Sequence, residues 1–322
     1  MVDLILFGDC KETLKQFPRG SAQMCVTSPP YYGLRDYGGE ANQIGQEETP
    51  EEFVNNLVEV FREVRDVLKD DGVLWLNIGD SYYNYRPGTG GLPKQTVSKT
   101  SQDLPTQCNR RANKLDGLKE KDLIGIPWML AFALRADGWY LRQDIIWHKP
   151  NPMPESVKDR CTKSHEYIFL LSKNKKYYYD NEAIKEPVKQ DWGTRNRDAG
   201  KYHNPGTGLQ PHSGLTKSYE RKNKRDVWTI TNKPYKGAHF AVFPPDLIEP
   251  CILAGSEVGD TILDPFMGSG TSAMVAKSLG RYYTGCELHE EYGNLIQERI
   301  QDYHPVNEVA QEPTINILDL IQ

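Results

Sequence analysis

The sequence predicts an α/β protein built on a mostly parallel sheet. Strand-like and helix-like segments alternate over the first 80 residues, and the alternation returns from Pro244 to Asp302. Near each end a short apolar run leads into a turn rich in Pro or Gly, which is how strands leave the carboxyl edge of an open α/β sheet.

The elements follow in order. Leu4 to Phe7 reads as a strand, Gly8-Asp9-Cys10 as a turn and Lys11 to Phe17 as a short helix. Met24-Cys25-Val26 is a buried strand. Thr49-Pro50-Glu51-Glu52 is a helix start, with Thr49 as N-cap, Pro50 at the first helical position and Glu52 completing a capping box. Apolar residues at 53, 57, 60, 61, 64, 67 and 68 keep helical spacing, and Asp70-Asp71-Gly72 should end that helix before a strand from Val73 to Ile78. Ile124 to Ala136 reads as a helix, and Tyr140 to Trp147 and Tyr167 to Leu171 as strands. The last part reads as a helix from Pro244 to Ala254, a strand at Thr261 to Leu263, a helix from Ser269 to Leu279, a strand at Tyr282 to Gly285 and a helix from Glu290 to Asp302.

Composition bounds the class. The chain has 322 residues, 38% hydrophobic and 26% charged, as expected of a soluble globular protein. No apolar run reaches the length of about 18 residues that a membrane span needs, and the N-terminus has neither a basic stretch nor a signal core. Six scattered cysteines form no Cys-x-x-Cys pair, so the expectation is reduced thiols in the cytoplasm and no metal site.

The net charge of −5 conceals a partition. Residues 83–236 hold 29 Lys plus Arg against 16 Asp plus Glu, a balance of +13, while the two flanks together carry −18. A polyanion would meet the middle of the chain. Two stretches there are irregular and polar: one from Tyr82 to about Lys121, and one from about Lys185 to Lys236. The second carries Arg195, Arg197, Arg221, Lys222, Lys224 and Arg225, interleaved with Trp192, Tyr202, Tyr219 and Trp228.

Two constellations carry chemistry. The first is Thr27-Ser28-Pro29-Pro30-Tyr31. The prolines cannot donate to a strand ladder, so a stiff turn follows the buried strand. The Ser28 hydroxyl and the Pro29 carbonyl can accept both hydrogens of one amino group, and Tyr31 offers a flat face to a ring. That suits a planar heterocycle bearing an amino group, such as a nucleobase. The second is Asp264-Pro265-Phe266-Met267-Gly268-Ser269-Gly270-Thr271, a strand-to-helix turn whose glycines let backbone approach a ligand. It lacks the Gly-x-Gly-x-x-Gly of dinucleotide folds and the Gly-Lys-Ser/Thr of nucleotide triphosphatases. Asp264 would repel a pyrophosphate but suits an ammonium. Glu287, at a strand tip about 20 residues on, suits the two ribose hydroxyls. A ligand with an amino-acid ammonium at one end and a ribose at the other is S-adenosylmethionine.

Together these motifs resemble the beta class of DNA amino-methyltransferases, bacterial and phage modification enzymes acting on an exocyclic nitrogen of cytosine or adenine. Thr27 to Tyr31 is similar to their catalytic motif in its Ser form, and Asp264 to Thr271 and Glu287 to their cofactor motifs. Gly8-Asp9-Cys10 resembles the segment near the cofactor adenine, and Ala238 to Pro244, with His239 and Phe240, the segment beside its methionine moiety. The catalytic motif precedes the cofactor loop, the circularly permuted order of that class.

The resemblance implies a Rossmann-like S-adenosylmethionine-dependent sheet with basic target-recognition insertions. The core would comprise 1–82, 122–180 and 237–305, with a basic flexible loop at 83–121, a target-recognition region at 181–236 and a tail at 306–322. It implies double-stranded DNA as the partner, transfer to N4 of a flipped cytosine, and N6 of adenine as the alternative. A homodimer and a restriction endonuclease acting on the same site are compatible with it. RNA or small-molecule methylation, a nicotinamide dehydrogenase and a catalytically dead DNA-binding module are the weaker rivals. His165-Glu166 reads as structural, His239 as either packing or a cofactor contact.

Overall fold

The computed structural model describes residues 3–33, 43–84, 114–188, 220–232 and 243–302. Its elements run β1 (Leu4–Phe7), α1 (Cys10–Thr13), β2 (Ala22–Thr27), α2 (Pro50–Val67), β3 (Leu68–Ile78), α3 (Ile126–Ala136), β4 (Tyr140–His148) and β5 (His165–Ser172). Then come β6 (Glu186–Pro187), β7 (Arg221–Lys222), β8 (Val227–Thr229), α4 (Pro245–Gly255), β9 (Thr261–Asp264), α5 (Thr271–Ser278), β10 (Tyr282–Glu287) and α6 (Tyr292–Asp302).

Eight strands form one sheet in the order β1-β10-β9-β2-β3-β5-β4-β8. Every neighbouring pair is parallel except the two made by β5, which is antiparallel to both β3 and β4. The expected mostly parallel α/β sheet is what the chain forms.

The middle strands bury both faces, and their side chains alternate between two cores. Cys25, Leu74, Leu76, Phe169 and Leu171 face α2 and α3. Met24, Val26, Val73, Trp75, Ile168 and Leu170 face α4, α5 and α6. α2 is built as its sequence suggests. Thr49 Oγ1 accepts from the Glu52 N–H at 3.1 Å, and Glu52 Oε2 accepts from the Thr49 N–H at 3.2 Å. Its apolar stripe, Phe53, Leu57, Val60, Phe61 and Val64, is fully buried.

Three local readings change. Asp70-Asp71-Gly72 does not separate helix from strand, because α2 already ends at Val67 and β3 runs through these residues. The β2–β3 register jumps there: Ala22 pairs with Leu68 but Met24 with Val73, so the polar residues bulge outward while the strand continues. The helix expected over Lys11 to Phe17 is one α-turn followed by a 3-10 turn at Leu14–Gln16. Part of the 181–236 stretch belongs to the main sheet: β8 pairs with the edge of β4, and its Trp228 is buried with the ring 6.3 Å from that of Trp75. An aromatic residue in a basic, polar run reads as a surface residue until a strand edge is available to cover it.

Among the described residues no helix is long and apolar enough to cross a membrane. Phe61 is fully buried between α2 and the sheet, so Phe61→Ala should cost about 3–5 kcal/mol, read as a lower urea midpoint at unchanged slope.

Candidate active site

Parallel strands bring their carboxyl ends to one edge. β1, β10, β9, β2 and β3 therefore deliver, side by side, Gly8-Asp9-Cys10, Glu287, the glycine turn from Asp264, the proline turn at Ser28, and Gly79-Asp80. β2 and β9 are neighbours, with Cys25 opposite Leu263. The two turns that the sequence singles out thus leave adjacent strands.

A buried hydrogen bond ties them. Thr27 Oγ1 donates to Asp264 Oδ1 at 2.6 Å, across 237 positions of chain. The same oxygen accepts from the Phe266 N–H at 3.0 Å, and Oδ2 accepts from Ser272 Oγ at 2.5 Å. Asp264 is 2% exposed. Burial pushes its carboxyl up to about 6, although all three donors pull the other way. The sequence reading has Asp264 suited to a ligand ammonium; in the structure its carboxylate also accepts from three protein donors that shape the turn.

The glycine turn is compact. Gly270 has φ +78, and a Cβ there would lie 2.7 Å from Ile296 of α6, so only glycine fits. The Thr271 hydroxyl at the start of α5 is buried and has no hydrogen-bond partner among the described residues. Ser269 Oγ accepts from Arg299 of α6. Glu287, at the tip of β10, is held from both sides: Oε2 accepts from the Gly268 N–H at 2.7 Å and Oε1 from the His289 N–H at 3.1 Å. Burial pushes its carboxyl up to about 7. Each oxygen keeps a lone pair for another donor. On the far side, Gly8 N–H donates to the Glu287 carbonyl at 2.8 Å, and Asp9 Oδ1 caps α1 by accepting from the Lys11 N–H at 2.9 Å.

In the proline turn Ser28 is half-buried and Pro29 buried, and among the described residues nothing hydrogen-bonds to the Ser28 hydroxyl. The half-buried Tyr31 ring lies on Gly79, where any Cβ would sit 2.7 Å from the ring. The Tyr31 hydroxyl donates to Glu166 Oε2 at 2.7 Å.

These features have counterparts among known proteins. A family model described as DNA methylase, for the N6 and N4 methyltransferases, matches residues 22–298. The chain belongs to this DNA methylase family. It is 48% identical over 296 residues to the Type II methyltransferase M.SmaI of Serratia marcescens, covering 92% of this chain and 90% of that relative. The PvuII DNA methyltransferase, described as cytosine-N4-specific, superposes with a TM-score of 0.60 at 18% identity over 92% of this chain and 85% of its own. A putative DNA modification methylase of Thermus thermophilus, complexed with S-adenosyl-L-methionine, gives a TM-score of 0.57 at 24% identity, covering 93% of both chains. The fold is that of the S-adenosylmethionine-dependent methyltransferases, and the protein is a Type II DNA methyltransferase of the N6/N4 family.

Within this DNA methylase, Asp9, Cys10, Ser28, Pro29, Pro30, Tyr31, Asp264, Pro265, Phe266, Gly268, Ser269, Gly270, Thr271 and Glu287 share one sheet edge. His239, Phe240, Arg195 and Arg197 lie outside the described residues. Arg221, Lys222, Lys224 and Arg225 cluster at β7 and the turn after it. Two of them meet Glu186: Arg225 Nε donates to it at 2.7 Å and Lys222 Nζ lies 3.8 Å away. The Arg225 guanidinium holds that carboxyl below its usual range. Lys224 Nζ sits 4.9 Å from the centre of the Trp228 ring. Cys10, Cys25, Cys251 and Cys286 are buried, and burial pushes their thiols up, Cys286 to about 12, which leaves them poor nucleophiles.

Sequence reading missed a polar group behind Tyr31. Glu166 also accepts from Asn77 Nδ2 of β3 at 3.4 Å and pairs with Lys149 at the end of β4. Lys163 Nζ donates to the Asp80 carbonyl at 2.8 Å, and burial pulls its ammonium down. No spacing rule links positions 31, 77, 149 and 166; only the reversed course of β5 joins them.

The two raised carboxyls set a pH dependence. Their folded values, about 6 and about 7, exceed the ordinary 3.8 and 4.5, so the folded protein keeps protons that the unfolded chain has lost. That contribution is complete below about pH 4 and is lost as pH rises through about 6 and then about 7. Compared with wild type, Glu287→Gln should therefore gain relative stability between about pH 4.5 and about pH 7, by up to about 1.4 kcal/mol per pH unit, measured by urea unfolding of both proteins at each pH.

Proposed function

We infer that this Type II DNA methyltransferase moves a methyl group from S-adenosylmethionine to the exocyclic N4 of a cytosine flipped out of duplex DNA. The observation that carries this reading is the Thr27–Asp264 hydrogen bond, 2.6 Å long, which sets a base-sized turn beside a glycine turn suited to a cofactor. The Ser form of the proline turn and the cytosine-N4-specific PvuII enzyme of similar fold favour cytosine over adenine.

The residues at this edge fit the cofactor. The orphaned Thr271 hydroxyl offers a buried polar contact, Glu287 keeps acceptor capacity for ribose hydroxyls, and ionised Asp264 supplies negative charge to favour an ammonium. Asp9 and Cys10 would lie near the adenine, His239 and Phe240 near the methionine moiety, and the backbone from Pro265 to Gly270 would line the ligand. When bound, S-adenosylmethionine supplies a methyl group on a positively charged sulfur, already a strong electrophile.

The chain's own residues then position the acceptor. The target amino nitrogen is unreachable in the duplex, so the base must leave the stack. Tyr31 stacks on its ring. Ser28 Oγ and the Pro29 carbonyl accept the two amino hydrogens, drawing the nitrogen lone pair out of conjugation and aiming it at the methyl carbon. With the base so held, the new N–C bond would form at the expense of the donor's S–C bond. Ser28 is too weak a base to act first, so the proton leaves for water after transfer, when the nitrogen has become acidic. Positioning and electrostatics supply the rate, and no cysteine nucleophile is needed. The basic segments at 83–121 and 181–236 meet the DNA backbone, the second as the target-recognition region.

Ser28→Ala should lower turnover by about 10²–10³-fold and leave S-adenosylmethionine affinity unchanged. Single-turnover assays with calorimetric cofactor titration check this, and equal loss of both in a folded variant removes Ser28 from the acceptor site. Nucleoside analysis of methylated DNA should return N4-methylcytosine; N6-methyladenine would assign the same pocket to adenine.

A further inference from the structure

We propose that Glu166, braced by Lys149, is a positioning residue that fixes the Tyr31 ring for stacking on the extruded base. This rests on the reading above, in which Tyr31 is the stacking platform.

The geometry is that of a built clamp. Three donors from three places converge on one carboxylate: the Tyr31 hydroxyl from the proline turn at 2.7 Å, the Asn77 amide from β3 at 3.4 Å and the Lys149 ammonium from the end of β4. The Lys149 and Glu166 side chains are only 16% and 15% exposed. Lys149 Nζ also lies 4.1 Å from the centre of the buried Trp147 ring, which restricts where the ammonium can go. The opposite constraint on Tyr31 is Gly79, which leaves no room beneath the ring. The phenol is thus held by its tip and along one face, while the half-buried ring keeps area for a partner.

A purely structural ion pair would account for Lys149 and Glu166 but not for the phenol. A tyrosine that only stacks needs no hydroxyl, and phenylalanine would serve. Here the hydroxyl is bound to an ionised acceptor, a bond about twice as strong as a neutral one. A platform already in place spares the side-chain ordering that stacking would otherwise require. Glu166 reaches this edge because β5 is the reversed strand: its first residues, His165 and Glu166, arrive where the other strands end.

A double-mutant cycle with Glu166→Ala and Tyr31→Phe tests this, reading kcat, KM for DNA and the fluorescence of 2-aminopurine at the target position. Each single variant should lower kcat about tenfold and weaken the flipped-base signal, because each removes the same charge-assisted hydrogen bond. The double variant should lose no more than either single one. Glu166→Gln, which keeps an acceptor for the phenol, should recover part of the loss. S-adenosylmethionine affinity should stay at the wild-type value throughout. Losses that multiply in the double variant, or a Glu166→Ala loss confined to cofactor affinity, overturn the proposal. If Glu166→Ala does not fold, Glu166→Gln compared in the wild-type and Tyr31→Phe backgrounds carries the same cycle. Failure of the wild-type protein to methylate DNA would instead overturn the underlying reading, and N6-methyladenine as product would leave the role of Glu166 intact.

Discussion

The Asp264 carboxylate is the joint on which the site depends. It lies in the core, yet it holds a strand from the N-terminal part of the chain and the turn and helix of the C-terminal part in one arrangement through Thr27, Phe266 and Ser272. Hydrogen bonds to a charged group contribute about 1.5–3 kcal/mol each, and a buried carboxylate stripped of them is costly. The arrangement is therefore specific as well as stabilising: a β2–β9 register slipped by one residue would turn Thr27 to the other face and leave Asp264 unsatisfied. Rigid strands and a satisfied buried charge together fix the spacing between the proline turn and the glycine turn.

Much of this was legible in the sequence, for local reasons. Pro29-Pro30 can only end a ladder, the run from Gly268 to Thr271 can only open a helix tightly, and the Thr49–Glu52 box marks a helix start without reference to the rest of the fold. What was not legible is set by tertiary pairing. The stretch Asp70-Asp71-Gly72 looks like a stop but is absorbed as a bulge because β2 and β5 flank it on either side. Trp228 gains its burial from tertiary neighbours, the edge of β4 and Trp75 among them. Glu166 reads as an ordinary strand residue because its importance comes from the direction of β5. The glycine-turn motif marks Asp264, but its inward engagement follows from Thr27 and Ser272, and no spacing in the sequence links Thr27 to it.

The charge partition has a structural echo. The acidic flanks supply the sheet edge with Asp9, Asp264 and Glu287, while the basic middle supplies Lys149, Lys163 and the β7 cluster. Within that cluster Glu186 neutralises part of the positive charge, so Arg221 and Lys224 are more available to a phosphate backbone than Arg225 is. On the proposed reading, the acidic pocket that attracts a cationic methyl donor and the basic segments that attract DNA come from separate parts of the chain.

The strand order also governs when this molecule becomes competent. β2 lies close in sequence to its neighbour β3, but its second neighbour β9 and the partner of β1, strand β10, emerge much later: Leu4 waits for Thr284. Nascent chains fold from the N-terminus as they appear, so the half-sheet β2-β3-β5-β4 can assemble while one edge of β2 stays open. A ribosome stalled before residue 261 would present the basic segments without β9 and β10, and so, on the proposed reading, without the pocket for a methyl donor. On the proposed reading, methyl transfer can thus begin only once β9 and β10 have joined the sheet.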